Sequence, residues 1–306
     1  MKRWVLALIV LALAAACERQ AQVATPAAEC DTLRDREARI AACTTAAEDE
    51  TYSADVRAAA LATRARLRED AGEVTPALRD YEAALRLDEN NAGAALGRGR
   101  ILLESGQLDA AEPLLLRAKR GGEGAEASAL LGQIALRRSR FDEAVTEFDA
   151  ALAANSRNAA ALSGRARAKH RMGDLDGAAA DYDAAVRADG ALAEARAGRC
   201  WLDLNEERNF TRARGDADAA VAADPRNVEA QLCRGVLQLR EGEWADARAS
   251  FEAALEVEPG NPTALFGRGV ARRRSGDNDG RADMNLARDF DRHIGQRFDD
   301  MGVETY

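Results

Sequence analysis

Ala71-Gly72-Glu73-Val74-Thr75-Pro76-Ala77-Leu78-Arg79-Asp80-Tyr81-Glu82-Ala83-Ala84-Leu85-Arg86-Leu87-Asp88 decides the fold, because its small and aromatic positions return along the chain. Stepping 34 residues on from Gly72, Ala77, Tyr81 and Ala84 reaches Gly106, Ala111, Leu115 and Ala118. One position short of the next step stand Ala144, Phe148, Ala151 and Leu152, followed by Gly173, Ala178, Tyr182 and Ala185. The series continues through Ala213, Ala217 and Ala220 to Gly242, Ala247, Phe251 and Ala254. Seven residues before each glycine position lies another small residue: Ala65, Gly99, Gly132, Ala166, Cys200, Gly235 and Gly269. Each unit therefore reads as two amphipathic helices joined by a short turn, with small residues where the helices cross. Pro225 and Pro259 close two of the units, since proline cannot continue a helix and restricts the residue before it. A fixed period of this length is the signature of a solenoid, in which each unit buries its apolar face against the next.

The pattern resembles the tetratricopeptide repeat family, whose 34-residue unit carries small residues at positions 8, 20 and 27, an aromatic at 24 and proline at 32. The resemblance implies an all-α, right-handed α-solenoid of about seven helix hairpins over residues 58–295. A half-repeat hairpin over 30–57 precedes it, and 296–306 form the end of a capping helix and a tail. Phe290, Ile294 and Phe298 fall on one face of that final helix, the cap a terminal repeat needs. Three units depart from the pattern. The second is one residue short and ends in Gly121-Gly122-Glu123-Gly124. The fifth has an extra residue around Asn205 to Phe210, and the seventh places Asp279-Gly280-Arg281 where its second helix should begin.

The amino terminus reads as an address. Lys2 and Arg3 precede thirteen uninterrupted apolar residues, Trp4 to Ala16. That is short of the ~20 a membrane-spanning helix needs but suits a signal peptide over 1–16. Two readings of its end stay open. An Ala-x-Ala site releases a soluble periplasmic protein. Alternatively, Leu13-Ala14-Ala15-Ala16-Cys17 resembles a bacterial lipobox, although Leu13 stands four residues before the cysteine rather than three. The second reading makes Cys17 a lipidated first residue, with Glu18 directing the protein to the outer membrane and residues 17–29 serving as a flexible tether.

The chain is acidic, with 52 Asp and Glu against 43 Lys and Arg for a net charge of −9, and it has 5% aromatic residues. That balance argues against general nucleic-acid binding. Its two histidines, His170 and His293, preclude a His-rich metal site, and neither has a nucleophile and acid at a recognisable spacing. Gly121 to Gly124 follow no strand and lack the Gly-Lys-Ser/Thr of a phosphate cradle. No catalytic residue, metal or cofactor is expected. Of the five cysteines, four remain if Cys17 carries lipid, an even number for an oxidising compartment. Cys30 and Cys43 are expected to staple the truncated hairpin. Cys200 and Cys233 lie on the first helices of neighbouring units, either bridged or as two small packed residues.

Charge is segregated by helix. Without residues 1–16, the first helices of the seven units sum to +10 and the remainder of the chain to −21. In the family, the first helices line the concave surface. Mapped onto this sequence, that surface holds Arg66, Arg100, Arg137, Arg167, His170, Arg171, Trp201, Arg240, Phe266 and Arg273, with acids that include Glu69, Asp70, Glu194 and Glu229 among them. One reading is a partner-binding groove suited to an acidic or carboxylate-ended peptide, with Trp201 as an anchor. The other is helix-end electrostatics: Arg137, Arg171, Arg240 and Arg273 sit in last turns, where cations complement the macrodipole. The resemblance implies a non-catalytic interaction scaffold of the bacterial cell envelope, engaging a peptide or helix of another envelope protein. Self-association and service as adaptor to an envelope hydrolase are the alternatives.

Overall fold

The computed structural model describes residues 25–305. The expected signal peptide and Cys17 lie outside the described residues. Seventeen helices and no strand occur among those residues, in two compact units that meet in sequence at Gly124 and Ala125. The first unit contains α1 (Pro26–Thr32), α2 (Arg36–Glu48), α3 (Ala54–Glu69), α4 (Val74–Leu87), α5 (Ala92–Glu104) and α6 (Leu108–Arg120). The second runs from α7 (Gly124–Arg137) and α8 (Phe141–Ala154) through α9 (Ala159–Met172), α10 (Leu175–Ala188), α11 (Ala193–Asn205) and α12 (Phe210–Ala223). It continues with α13 (Val228–Glu241), α14 (Trp244–Val257), α15 (Pro262–Arg274), α16 (Gly280–Phe290) and α17 (Ile294–Asp300). Within each unit the helices pair as antiparallel hairpins stacked side by side, so the helical solenoid read from the 34-residue period is the fold. No helix among the described residues is long and apolar enough to cross a membrane.

Local chemistry repeats with the units. Asn91, Asn158, Asn227 and Asn261 cap α5, α9, α13 and α15, each side-chain oxygen accepting from the N–H three residues on at 2.9–3.1 Å. The first helix of every full hairpin is followed by a residue in the left-handed region. In five units it is glycine, as at Gly173 (φ 84°) and Gly242 (φ 77°). Ser139 (φ 57°) and Glu207 (φ 49°) take the same position without glycine's freedom.

The core consists of the alanines at helix crossings and, in four hairpins, an aromatic (Tyr81, Phe148, Tyr182 or Phe251) that reaches into the following one. Phe148 and Phe251 are fully buried, and each passes over a glycine of the next first helix. A Cβ built on Gly164 falls 2.3 Å from the Phe148 ring, and one on Gly267 falls equally close to Phe251. Those positions therefore admit no side chain while the ring stays. Gly269 and Gly280 bring α15 and α16 into backbone contact in the same way.

Three boundaries differ from the sequence reading. Helix α1 begins at Pro26, capped by the Thr25 hydroxyl, so residues 26–29 are helical rather than tether. Helix α3 opens at Ala54, inside the segment assigned to the half-repeat. The expected single capping helix is two: α16 ends at Phe290, Asp291 turns the chain, and α17 starts at Ile294. Ile294 and Phe298 are fully buried, whereas Phe290 is 61% exposed. The i, i+4, i+8 spacing misled here because the helix does not run through it. Cys30 and Cys43 stand at disulfide distance between α1 and α2 (Cα–Cα 4.6 Å), and Cys200 and Cys233 between α11 and α13 (6.4 Å).

Candidate functional site: a cavity among the first helices of the second unit

Most of the segregated charge is structural. A first-helix arginine of each of four units grips a buried aspartate on its own second helix through two nitrogens. Arg64 holds Asp80 at 2.7 and 2.8 Å, and Arg165 holds Asp181 at 2.6 and 2.7 Å. Arg199 holds Asp216 and Arg268 holds Asp283 in the same fashion. In the sixth unit Arg234 meets Ser250 instead. A second cation joins several pairs: Arg68 on Asp80, Lys169 on Asp181, Arg272 on Asp283. The same arginines reach back to the preceding hairpin, Arg165 to Asp149 and Arg199 to Asp183. Burial raises the Asp181 carboxyl, but the hydrogen bonds from Arg165 and Lys169 outweigh it and hold the group below the ordinary aspartate range. This ladder neutralises positive first helices against negative second helices inside the stack, which neither reading of the sequence anticipated. Its signal was legible as Arg and Asp sixteen apart, stretched to seventeen in the fifth unit and shortened to fifteen in the seventh.

Part of what remains faces a cavity of about 660 Å³ within the second unit. Helix α9 contributes Arg167, His170 and Arg171, α10 contributes Tyr182, and α11 contributes Glu194 and Trp201. Helix α13 adds Glu229 and Leu232, and the end of α17 closes one side with Arg297, Asp300 and Met301. Arg167 makes no hydrogen bond or ion pair among the described residues, and Arg171 lies 5.5 Å over the Phe141 ring. The Trp201 indole is half-buried, and its N–H donates to the Glu229 carbonyl at 3.0 Å. Glu229 is accessible from the cavity but walled by protein. Its carboxyl is pushed up by that burial, against the pull of Arg167. Burial likewise lowers His170 and raises the Tyr182 hydroxyl to about 12. The neighbouring cysteine pair, Cys200 and Cys233, ties the α11 wall to the α13 wall.

Four of the ten expected groove residues thus meet in one place: Arg167, His170, Arg171 and Trp201. The others do not join them. Arg66 is exposed on α3 and Arg100 is clamped on Glu69 through two nitrogens, both in the first unit. Arg137 ends α7 outside the cavity lining. Phe266 is fully buried against Phe298, with ring centroids 4.9 Å apart, so it belongs to the core rather than to a binding surface. Arg240 stacks over Phe210 at 4.0 Å and donates to the Met301 carbonyl. Arg273 lies against Met284 in a separate hollow with Arg281 and Arg288.

The chain's own carboxyl-terminal segment explains two of these differences. Met301 and Val303 are buried against α13 and α15 residues, while Arg274 donates to the Glu304 carbonyl at 2.9 Å. Arg240 on α13 and Phe266 and Arg274 on α15 are engaged by this segment, whereas Glu229 and Leu232 stay open to the cavity. Nothing in the repeat pattern announced it, because residues 296–306 lie past the last unit.

Stacked hairpins with a cavity on their first helices define a helical-repeat scaffold. Profiles of the tetratricopeptide repeat match residues 68–134, 129–197, 202–251 and 234–283, and the chain belongs to the tetratricopeptide repeat family. Among solved structures it is similar to a tetratricopeptide repeat protein from Parabacteroides merdae, at 18% identity over 83% of this chain and 92% of that one, with a TM-score of 0.56. It is similar to Pseudomonas aeruginosa pilF at 19% identity, over 69% of this chain and 97% of that one (TM-score 0.56). A chain of the APC/C hetero-tetramer Cut9-Hcn1 aligns at 12% identity over 76% of this chain and 48% of that one (TM-score 0.64). At these identities the likeness is one of fold. No curated protein matches the chain.

Proposed function

We propose that this protein is a non-catalytic scaffold that binds a peptide segment of a partner protein in the cavity of its second unit. The observation that carries this reading is the convergence of Arg167, His170, Arg171 and Trp201, from two first helices, on one cavity. Elsewhere in the stack the first-helix cations on the structural ladder are paired with acids. A wall held by buried helices loses little freedom on binding, so a ligand gains affinity from the half-buried indole and from charge-assisted bonds. The partner is a protein of the bacterial cell envelope, met during assembly or targeting of an envelope complex. The apolar run Trp4 to Ala16 behind Lys2 and Arg3, the Cys17 that follows it, and two cysteine pairs at disulfide distance support that location.

Two experiments test the reading. Selection of displayed random peptides against the full mature chain, with Trp201→Ala and Arg167→Glu as counter-targets, should enrich sequences that bind the wild type and lose both variants. Peptides that bind all three equally refute the cavity as the site. Mass spectrometry of the mature protein should find diacylglycerol on Cys17, and an unmodified amino terminus elsewhere contradicts the anchor.

A further inference from the structure

The two tyrosines of the repeat aromatic position have different surroundings. In the first unit Tyr81 passes over Gly97, where a Cβ would sit 2.3 Å from its hydroxyl. The hydroxyl emerges to donate to Glu69 Oε2 at 2.8 Å, and Arg100 clamps the same carboxylate at 2.9 and 3.0 Å. In the second unit Tyr182 passes over Gly198 in the same way, with 2.6 Å between a Cβ there and its hydroxyl. The residue in register with Glu69 is His170, and the one in register with Arg100 is Trp201. Tyr182 is only 2% exposed, lines the cavity, and makes no hydrogen bond among the described residues. The ring is buried and the side chain lines the cavity, so the hydroxyl is a donor that an acceptor bound there can meet.

We propose that the cavity contains a subsite for a ligand carboxylate, which accepts from the Tyr182 hydroxyl and pairs with Arg167, taking the place against Tyr182 that Glu69 takes against Tyr81. The proposal rests on the peptide-binding reading and adds the chemistry of the anchor. Arg167 is near enough to Tyr182 and to Glu229 to act on both electrostatically, and neither a hydrogen bond nor an ion pair holds it elsewhere among the described residues. His170, one turn further along α9, and Trp201 on α11 line the same cavity. Glu194 and Glu229 line the same cavity and oppose an anion, and burial pushes the Glu229 carboxyl up, which disfavours its charged form. The first unit shows that this repeat position accommodates a carboxylate between a tyrosine and a cation without distorting the helices.

A carboxylate reaches such a subsite from an acidic side chain or from a chain terminus, and three probes separate the sources. N-acetylglutamine carries only an α-carboxylate, N-acetylglutamate α-amide only a side-chain one, and N-acetylglutaminamide neither. Each is titrated into the full mature chain while the indole N–H resonances of Trp201 and Trp244 are followed by NMR. One or both acids should shift Trp201 saturably and leave Trp244 in place, and the neutral amide should do neither. Tyr182→Phe should weaken the acid about tenfold, equivalent to ~1.4 kcal/mol. His170→Glu should abolish binding by supplying a carboxylate in register with Glu69, with the fold kept. Tyr81→Phe should change nothing. Equal binding of the neutral amide, undiminished binding by Tyr182→Phe, or no saturable shift with either acid overturns the subsite. Display-selected peptides that need Trp201 but show no carboxylate preference would overturn the subsite and leave the peptide-binding reading standing.

Discussion

Replacing Asp181 by asparagine removes the centre of one rung of the arginine ladder. The carboxylate accepts from two nitrogens of Arg165 at 2.6 and 2.7 Å and from Lys169 at 2.8 Å, and Asp181 itself is 6% exposed. Removing one partner of a fully buried ion pair costs ~3–5 kcal/mol. The side chains of Arg165 and Lys169 are 21% and 22% exposed and find some water, so the expected loss is lower, about 2–3 kcal/mol at pH 7. Both tryptophans among the described residues, Trp201 and Trp244, lie in the second unit, so urea unfolding followed by tryptophan fluorescence reports this unit. Asp149→Asn is the control: it touches the same Arg165, but its side chain is 54% exposed, so the expected change is below about 1 kcal/mol. The pH dependence has a defined sign. The folded carboxyl of Asp181 titrates below its unfolded value, so its contribution is fully present above roughly pH 4–5 and is lost as pH falls through the folded value. The variant should therefore lose less stability than wild type on acidification below that range. Equal midpoints for wild type and Asp181→Asn, or equal losses for the Asp149 and Asp181 variants, would refute the ladder as a stabilising device.

Glu207 holds a left-handed turn that glycine occupies in most other units, so Glu207→Gly should stabilise the second unit by about 0.5–1 kcal/mol in the same urea assay; destabilisation would show that its side chain matters more than its backbone. Reduction of the Cys200–Cys233 pair frees a loop of 33 residues, worth ~4 kcal/mol in the chain-entropy account. It should speed hydrogen exchange in α11 and α13 and weaken peptide binding, whereas unchanged exchange would mean the pair is not bridged. Phe298→Ala opens a cavity against Phe266 and Phe251 and should cost ~3–5 kcal/mol. Exchange protection in α15 to α17 should fall first, and a loss confined to α17 would show that the segment does not support the last hairpin.

The solenoid was legible because it is a local property repeated: crossing alanines, gap-filling aromatics and capping residues recur whatever the chain does elsewhere. The insertion near Asn205 and the shift at Gly280 were visible for the same reason, and both reappear as altered spacing in the arginine ladder. The site was legible only in part. Charge on first helices was read as one surface, but a helix has several faces, and Arg165 and Arg167, two residues apart, point to the interior ladder and to the cavity respectively. Phe266 mapped to a concave position, and the segment around Phe298 and Met301 buries it. That segment pairs with residues up to 61 positions away, through Arg240 and Met301, and no repeat encodes such a contact. Tyr182 was read only as the core aromatic of its unit. Its hydroxyl became informative once its surroundings could be compared with those of Tyr81.

The central claim is that a partner segment occupies the cavity built on α9, α11 and α13. Hydrogen–deuterium exchange on the full chain, with and without a display-selected peptide, tests it most directly. The account predicts slowed exchange in residues 159–172, 193–205 and 228–241, with α1 and α2 unchanged. Protection confined to the second helices α10, α12 and α14, or to the first unit, would contradict it.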